Sequence, residues 1–139
     1  MTTTTSTPAA TDTRERAVRA GIGMLGAISL LTGLWMAIAP ASFFDALGPF
    51  GTRNSHYLRD MATWQLAVGA GLLVAVGRPS WRRPMIAVGA VQALLHTLNH
   101  VLDMGDADPA WVGVFDTVTL AATLGLFAWL WSASAEPGR

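Results

Sequence analysis

An all-α, four-transmembrane-helix bundle of up-down-up-down topology, with both termini cytoplasmic, is the architecture this sequence encodes. The 139-residue chain is 52% hydrophobic and only 13% charged, whereas about a quarter of the residues in an ordinary soluble domain are charged. Four apolar stretches each approach the roughly 20 helical residues needed to cross a hydrocarbon core about 30 Å thick. Between them lie segments rich in Pro and Gly, which end helices.

Residues 20–39 form the first stretch and carry no charge at all. Residues 61–77 form the second, and the helix reaches span length if it begins near Leu58. Residues 84–104 and 110–131 are long enough, though each includes ionisable side chains. The breaks are Pro40 with the "GPFG" turn at 48–51, "GRPSWRRP" at 77–84 and "MGDADPA" at 104–110. The threonine-rich start lacks any apolar period, so residues 1–16 read as a disordered cytoplasmic tail. The transmembrane domain then covers 17–133, and 134–139 form a second cytoplasmic tail.

A signal peptide is the rival reading of the first stretch, because Ala37-Ile38-Ala39 resembles a cleavage site. The apolar run exceeds a usual signal core and Pro40 follows the site, so a retained helix is expected. Orientation follows from arginine placement in the short flanks. Arg14, Arg16, Arg19, Arg78, Arg82, Arg83 and Arg139 fall on one side of a four-span chain, Arg53 and Arg59 on the other. This puts the termini in the cytoplasm and the protein, multi-pass, in the inner (cytoplasmic) membrane.

Composition also excludes chemistry. Net charge is zero, lysine is absent and the arginines form short groups rather than a stripe, so no nucleic-acid partner is indicated. Cysteine is absent, which excludes disulfides, thiolate metal sites, cysteine nucleophiles and covalent haem attachment. Trp81, Trp111, Trp129 and Trp131 lie near helix ends, as an aromatic belt requires. Gly21, Gly23, Gly26, Gly69 and Gly71 suit close helix approach.

The remaining polar side chains gather at the outward end. His56, Arg59, Asp60, His96, Asn99, His100, Asp103 and Asp116 all fall near the ends of spans that meet there. His96, Asn99, His100 and Asp103 stand at i, i+3, i+4 and i+7, with Gln92 one turn deeper, so the five share one helical face. Along the axis His100 lies about 6 Å and His96 about 12 Å from residue 104, and Asp116 about 9 Å from residue 110. An ionisable group at the centre of a span costs about 2.5 to 3.5 kcal/mol on insertion scales, so these groups are expected to face the interior and to pair.

Several readings of this group stand side by side. His96 and His100, with Asp103, His56 and Asp60, would hold a divalent metal; the H-x-x-x-H spacing lacks the glutamate that makes the zinc-protease motif specific, which argues against a hydrolytic zinc site. Alternatively, the same side chains perform acid/base or redox work on a quinone-like or other lipid-soluble substrate. Haem held between His56 and His96 or His100 is a third reading. The fourth is a purely structural hydrogen-bond network, in a non-catalytic accessory subunit or a homo-oligomer. Arg59, Asn99, Asp116 and Gln92 serve as substrate-facing or supporting groups, with Arg59 the local partner for Asp60 or Asp103. The partners implied are the lipid bilayer, a small lipid-soluble ligand and further membrane subunits.

"GLWMAIAPASFFDALGPFG", followed by "NSHYLRD" and "HTLNHVLD", resembles a pattern of small uncharacterised four-helix integral membrane proteins of actinobacteria. The layout of paired hairpins is also loosely similar to the DoxX-like group. The resemblance covers most of residues 20–132 and rests chiefly on Asn54, His56, Arg59, Asp60, His96 and His100. The DoxX-like link implies quinone-related redox chemistry and carries over no site residue.

Overall fold

The computed structural model describes residues 8–134. It contains α1 (Pro8–Ile38), α2 (Pro40–Leu47), α3 (Ser55–Gly77), α4 (Pro79–Leu102), a 3-10 turn (Met104–Asp106) and α5 (Ala110–Ala133). The four long helices are each long and apolar enough to cross a membrane, so the chain is a multi-pass integral membrane protein. They run up-down-up-down. One end of the bundle carries the α1–α3 and α4–α5 connections and is called the loop end; the other, called the terminal end, carries the start of α1, the end of α5 and the α3–α4 turn.

Three boundaries differ from the sequence reading. Residues 8–16, expected to belong to a disordered tail, are the first turns of α1. Pro8 suits a helix start, and the i, i+4 ion pair of Asp12 with Arg16 supports the turns that follow. The rest of that tail, and residues 135–139, lie outside the described residues. Residues 40–47, which the sequence places in the break between the first two apolar stretches, form α2, which opens with the buried Pro40. Trp35 holds α2 against the end of α1: its ring meets Phe43 edge-on at 5.5 Å and its Nε1 donates to Ser42 Oγ at 3.2 Å.

The "GRPSWRRP" break shrinks to Arg78 alone, with Pro79 starting α4 in the position where a missing N–H costs nothing. Arg82 makes so short a turn stable. Its Nε donates to the Ala75 carbonyl at 3.3 Å and Nη2 to that of Val76 at 3.5 Å, covering oxygens at the end of α3. The same guanidinium grips Glu15 of α1 in a bidentate pair, both bonds 2.8 Å. One side chain thus ties three helices together at the terminal end.

Helix pairing follows the small residues. At Gly26 and Gly69 the backbones of α1 and α3 come so close that a Cβ on Gly69 would lie 2.9 Å from the Gly26 carbonyl oxygen. Lipid removes the usual hydrophobic drive between helices, so close packing of this kind is what holds them together. Ile22, Leu72, Ile86 and Leu130, one from each long helix, are fully buried and meet in the terminal half, joined by Val18, Leu25, Ala75 and Phe127. Among the described residues the loop half has no comparable apolar centre. There Thr117 of α5, only 8% exposed, shares its hydroxyl proton between the carbonyls of Gly113 (2.8 Å) and His100 (3.2 Å), binding α5 to α4.

Candidate functional site in the loop half

Asn54 starts α3 by accepting the His56 and Tyr57 N–H groups on Oδ1, both at 3.1 Å, as an N-cap does. This places His56, Arg59 and Asp60 in the first two turns. His56 Nε2 lies 3.4 Å from Asp60 Oδ2, with the two side chains 87% and 64% exposed. Asp60 therefore pairs with His56 rather than with Arg59. Arg59, exposed, makes no side-chain hydrogen bond or ion pair among the described residues. Asp103 caps the end of α4 and is exposed as well.

The α4 residues behave differently. Gln92 Nε2 lies 3.3 Å from His96 Nδ1. An amide NH₂ only donates, so a neutral His96 accepts at Nδ1 and carries its own proton on Nε2. The His96 and His100 rings meet edge to face with centroids 4.8 Å apart. Behind them, Phe50 from the α2–α3 connection covers the His100 ring, again edge to face, at 5.0 Å. His100 Nδ1 is enclosed without a hydrogen-bond partner. Asp116, half-buried on α5, directly precedes Thr117, whose hydroxyl donates to the His100 carbonyl.

The polar group expected at one end of the bundle is therefore two groups. Gln92, His96, His100 and Asp116 form an inner one; His56, Asp60, Arg59 and Asp103 lie on the surface. Among the described residues, no three His, Asp or Glu side chains come together in a way that would hold a metal ion. The five proposed metal ligands, His96, His100, Asp103, His56 and Asp60, are consequently not assembled into one shell. Sequence spacing puts side chains on one face of one helix but says nothing about how the next helix is rotated against it.

Beside the inner group lies a groove of about 800 Å³ between α3 and α4. Met61 and Trp64 of α3 form one wall; Ala87, Val88, Val91 and Leu95 of α4, with Gln92, His96 and Asn99, form the rest. A volume of this size, apolar with a few polar groups on one side, is typical of small-molecule sites. His96 is the one titratable side chain in the lining. Counting from Leu102, Asn99 lies about 4.5 Å, His96 about 9 Å and Gln92 about 15 Å into the helix.

Sequence reasoning did not select Phe50, Thr117 or Met61. Thr117 had a readable signal, a hydroxyl in an apolar span beside an aspartate. Phe50 had none, because its contact depends on how two loops meet. Comparison of the chain with protein-family models, with curated proteins and with solved structures finds no match in any of the three.

Proposed function

We propose that this membrane protein binds a lipid-soluble ligand in the α3–α4 groove, with His96 and Gln92 holding the ligand's polar head. The observation that carries this reading is the lining itself: an apolar channel in which His96, fixed by Gln92, supplies one directed donor. Nε2–H of His96 suits a carbonyl or other acceptor, and the free Gln92 oxygen suits a hydroxyl. His96 is also the group for any acid/base step on a quinone-like substrate, which is the chemistry that the DoxX-like resemblance implies. His100, enclosed and outside the lining, supports the His96 ring. We further infer that the loop end faces outward from the inner membrane, since among the described residues Arg14, Arg16, Arg19, Arg78, Arg82 and Arg83 lie at the terminal end and only Arg53 and Arg59 at the loop end.

Mass spectrometry of lipids retained by the protein after purification in a mild detergent tests the reading. His96→Ala is expected to lower retention of the bound species about tenfold, the worth of one hydrogen bond of about 1.4 kcal/mol. Val91→Trp, which fills the groove without touching the polar groups, is expected to abolish it. Equal retention by wild type and both variants would sink the proposal.

A further inference from the structure

The groove has a direction. Its polar groups, Asn99, His96 and Gln92, lie toward the loop end, and its apolar floor, Leu95, Val91 and Val88, continues toward the middle of the bundle. From Asn99 to Ala87 the floor spans twelve residues, about 18 Å of helix, close to the roughly 15 Å depth of one leaflet's hydrocarbon. Positions 87, 91 and 95 and positions 88, 92, 96 and 99 form two neighbouring rows on α4, whose Cβ atoms lie about 5 to 6 Å apart along each row. The two rows run lengthwise along the helix, with Trp64 and Met61 of α3 beside them.

Next to the groove, His100 is covered from the loop end. Phe50 forms an isolated antiparallel bridge with Ala107, the Asp108 N–H donates to the Pro49 carbonyl at 3.1 Å, and the Phe50 ring lies on His100. The two loop-end connections are thereby stitched together over the inner polar group. Beneath them the 3-10 turn rests on α5 at Gly113, where a Cβ would collide with the Met104 carbonyl oxygen.

Resting on the groove reading above, we propose that the ligand is a single-chain amphiphile of the leaflet at the loop end. It enters sideways between α3 and α4, head at His96 with Asn99 and Gln92 on either side and chain toward Ala87, while Phe50 closes the aqueous route to His100 beside it. The polarity order of the lining matches the order a leaflet lipid already has, so the ligand need not turn over to bind.

Two long-chain fatty acids, one with a diazirine beside the carboxylate and one with it at the chain terminus, read the direction in lipid nanodiscs. The head-labelled probe is expected to cross-link to residues 95–99 and the tail-labelled probe to residues 87–91, with an unlabelled long-chain fatty acid competing and a short, water-soluble fatty acid not. Reversed positions, or equal competition by the short acid, overturn the proposal while leaving the groove as a ligand site. Failure of both probes to label residues 87–99 overturns the groove reading with it. The aqueous seal is read separately, because the chain has no cysteine and His100→Cys gives a single reporter. A membrane-impermeant sulfonated maleimide is expected to label it slowly, several-fold faster when Phe50→Ala is added, and slowly again with Phe50→Leu, which keeps the bulk. The same rate in all three, or an equal rise in both Phe50 variants, overturns the seal.

Discussion

Gln92 and His96 show how much one hydrogen bond decides at the residue scale. With the amide donating to Nδ1, the imidazole presents a proton at Nε2 to the groove; Gln92→Leu removes that constraint and lets the tautomers exchange. Nitrogen NMR of the labelled histidines is expected to show one dominant His96 tautomer in wild type and a mixture in Gln92→Leu, and a single unchanged tautomer would show that Gln92 does not set it. Asn54 gives a purely structural counterpart. Its two accepted N–H bonds start α3, and Asn54→Ala is expected to lower stability by about 1 kcal/mol in detergent, visible in thermal unfolding. Both residues were legible to different degrees. The i, i+4 relation of Gln92 to His96 is fixed by the helix repeat, whereas Asn54 was noticed only as part of the "NSHYLRD" resemblance, with the second helix expected to begin near Leu58.

At the scale of elements, the short α3–α4 turn and the α1–α3 contact carry the bundle's terminal half. Arg82 holds carbonyls of α3 and the Glu15 carboxylate of α1 at once, with its side chain only 11% exposed. Arg82→Ala is expected to cost about 2 kcal/mol, a figure kept low because Glu15 is nearly half exposed to solvent. Arg82→Lys keeps the charge but not the planar fork, and is expected to recover less than half of that loss; full recovery would mean that charge alone matters. Gly69→Leu forces α1 away from α3 and is expected to destabilise by several kcal/mol through overpacking, measured as loss of the folded fraction in detergent. The small residues at this contact were visible in the sequence. Arg82 was counted only as a cytoplasmic charge, because its partner Glu15 lies 67 residues away in the chain on another helix, and α2 was missed because its eight residues are too few to show a helical period.

For the whole molecule, the up-down-up-down course has a direct consequence: the α2–α3 connection and the α3–α4 turn lie on opposite sides of the membrane. In the cysteine-free chain, Thr52→Cys and Ser80→Cys are expected to react with an impermeant maleimide from opposite faces of sealed vesicles, and labelling from one face only would contradict the topology. Composition and the length of the apolar runs settled the membrane class, the count of four spans and the end at which polar groups collect. These are one-dimensional properties, since a bilayer of fixed thickness demands about 20 apolar residues whatever the helices later touch. Only tertiary packing decided which polar side chains meet. His96 and His100 turn inward, beside the groove and under Phe50, while His56 and Asp60 turn outward to each other, because the rotation of each helix about its axis is set by close contacts such as Gly26 with Gly69 and Thr117 with His100, which no spacing within a single helix encodes.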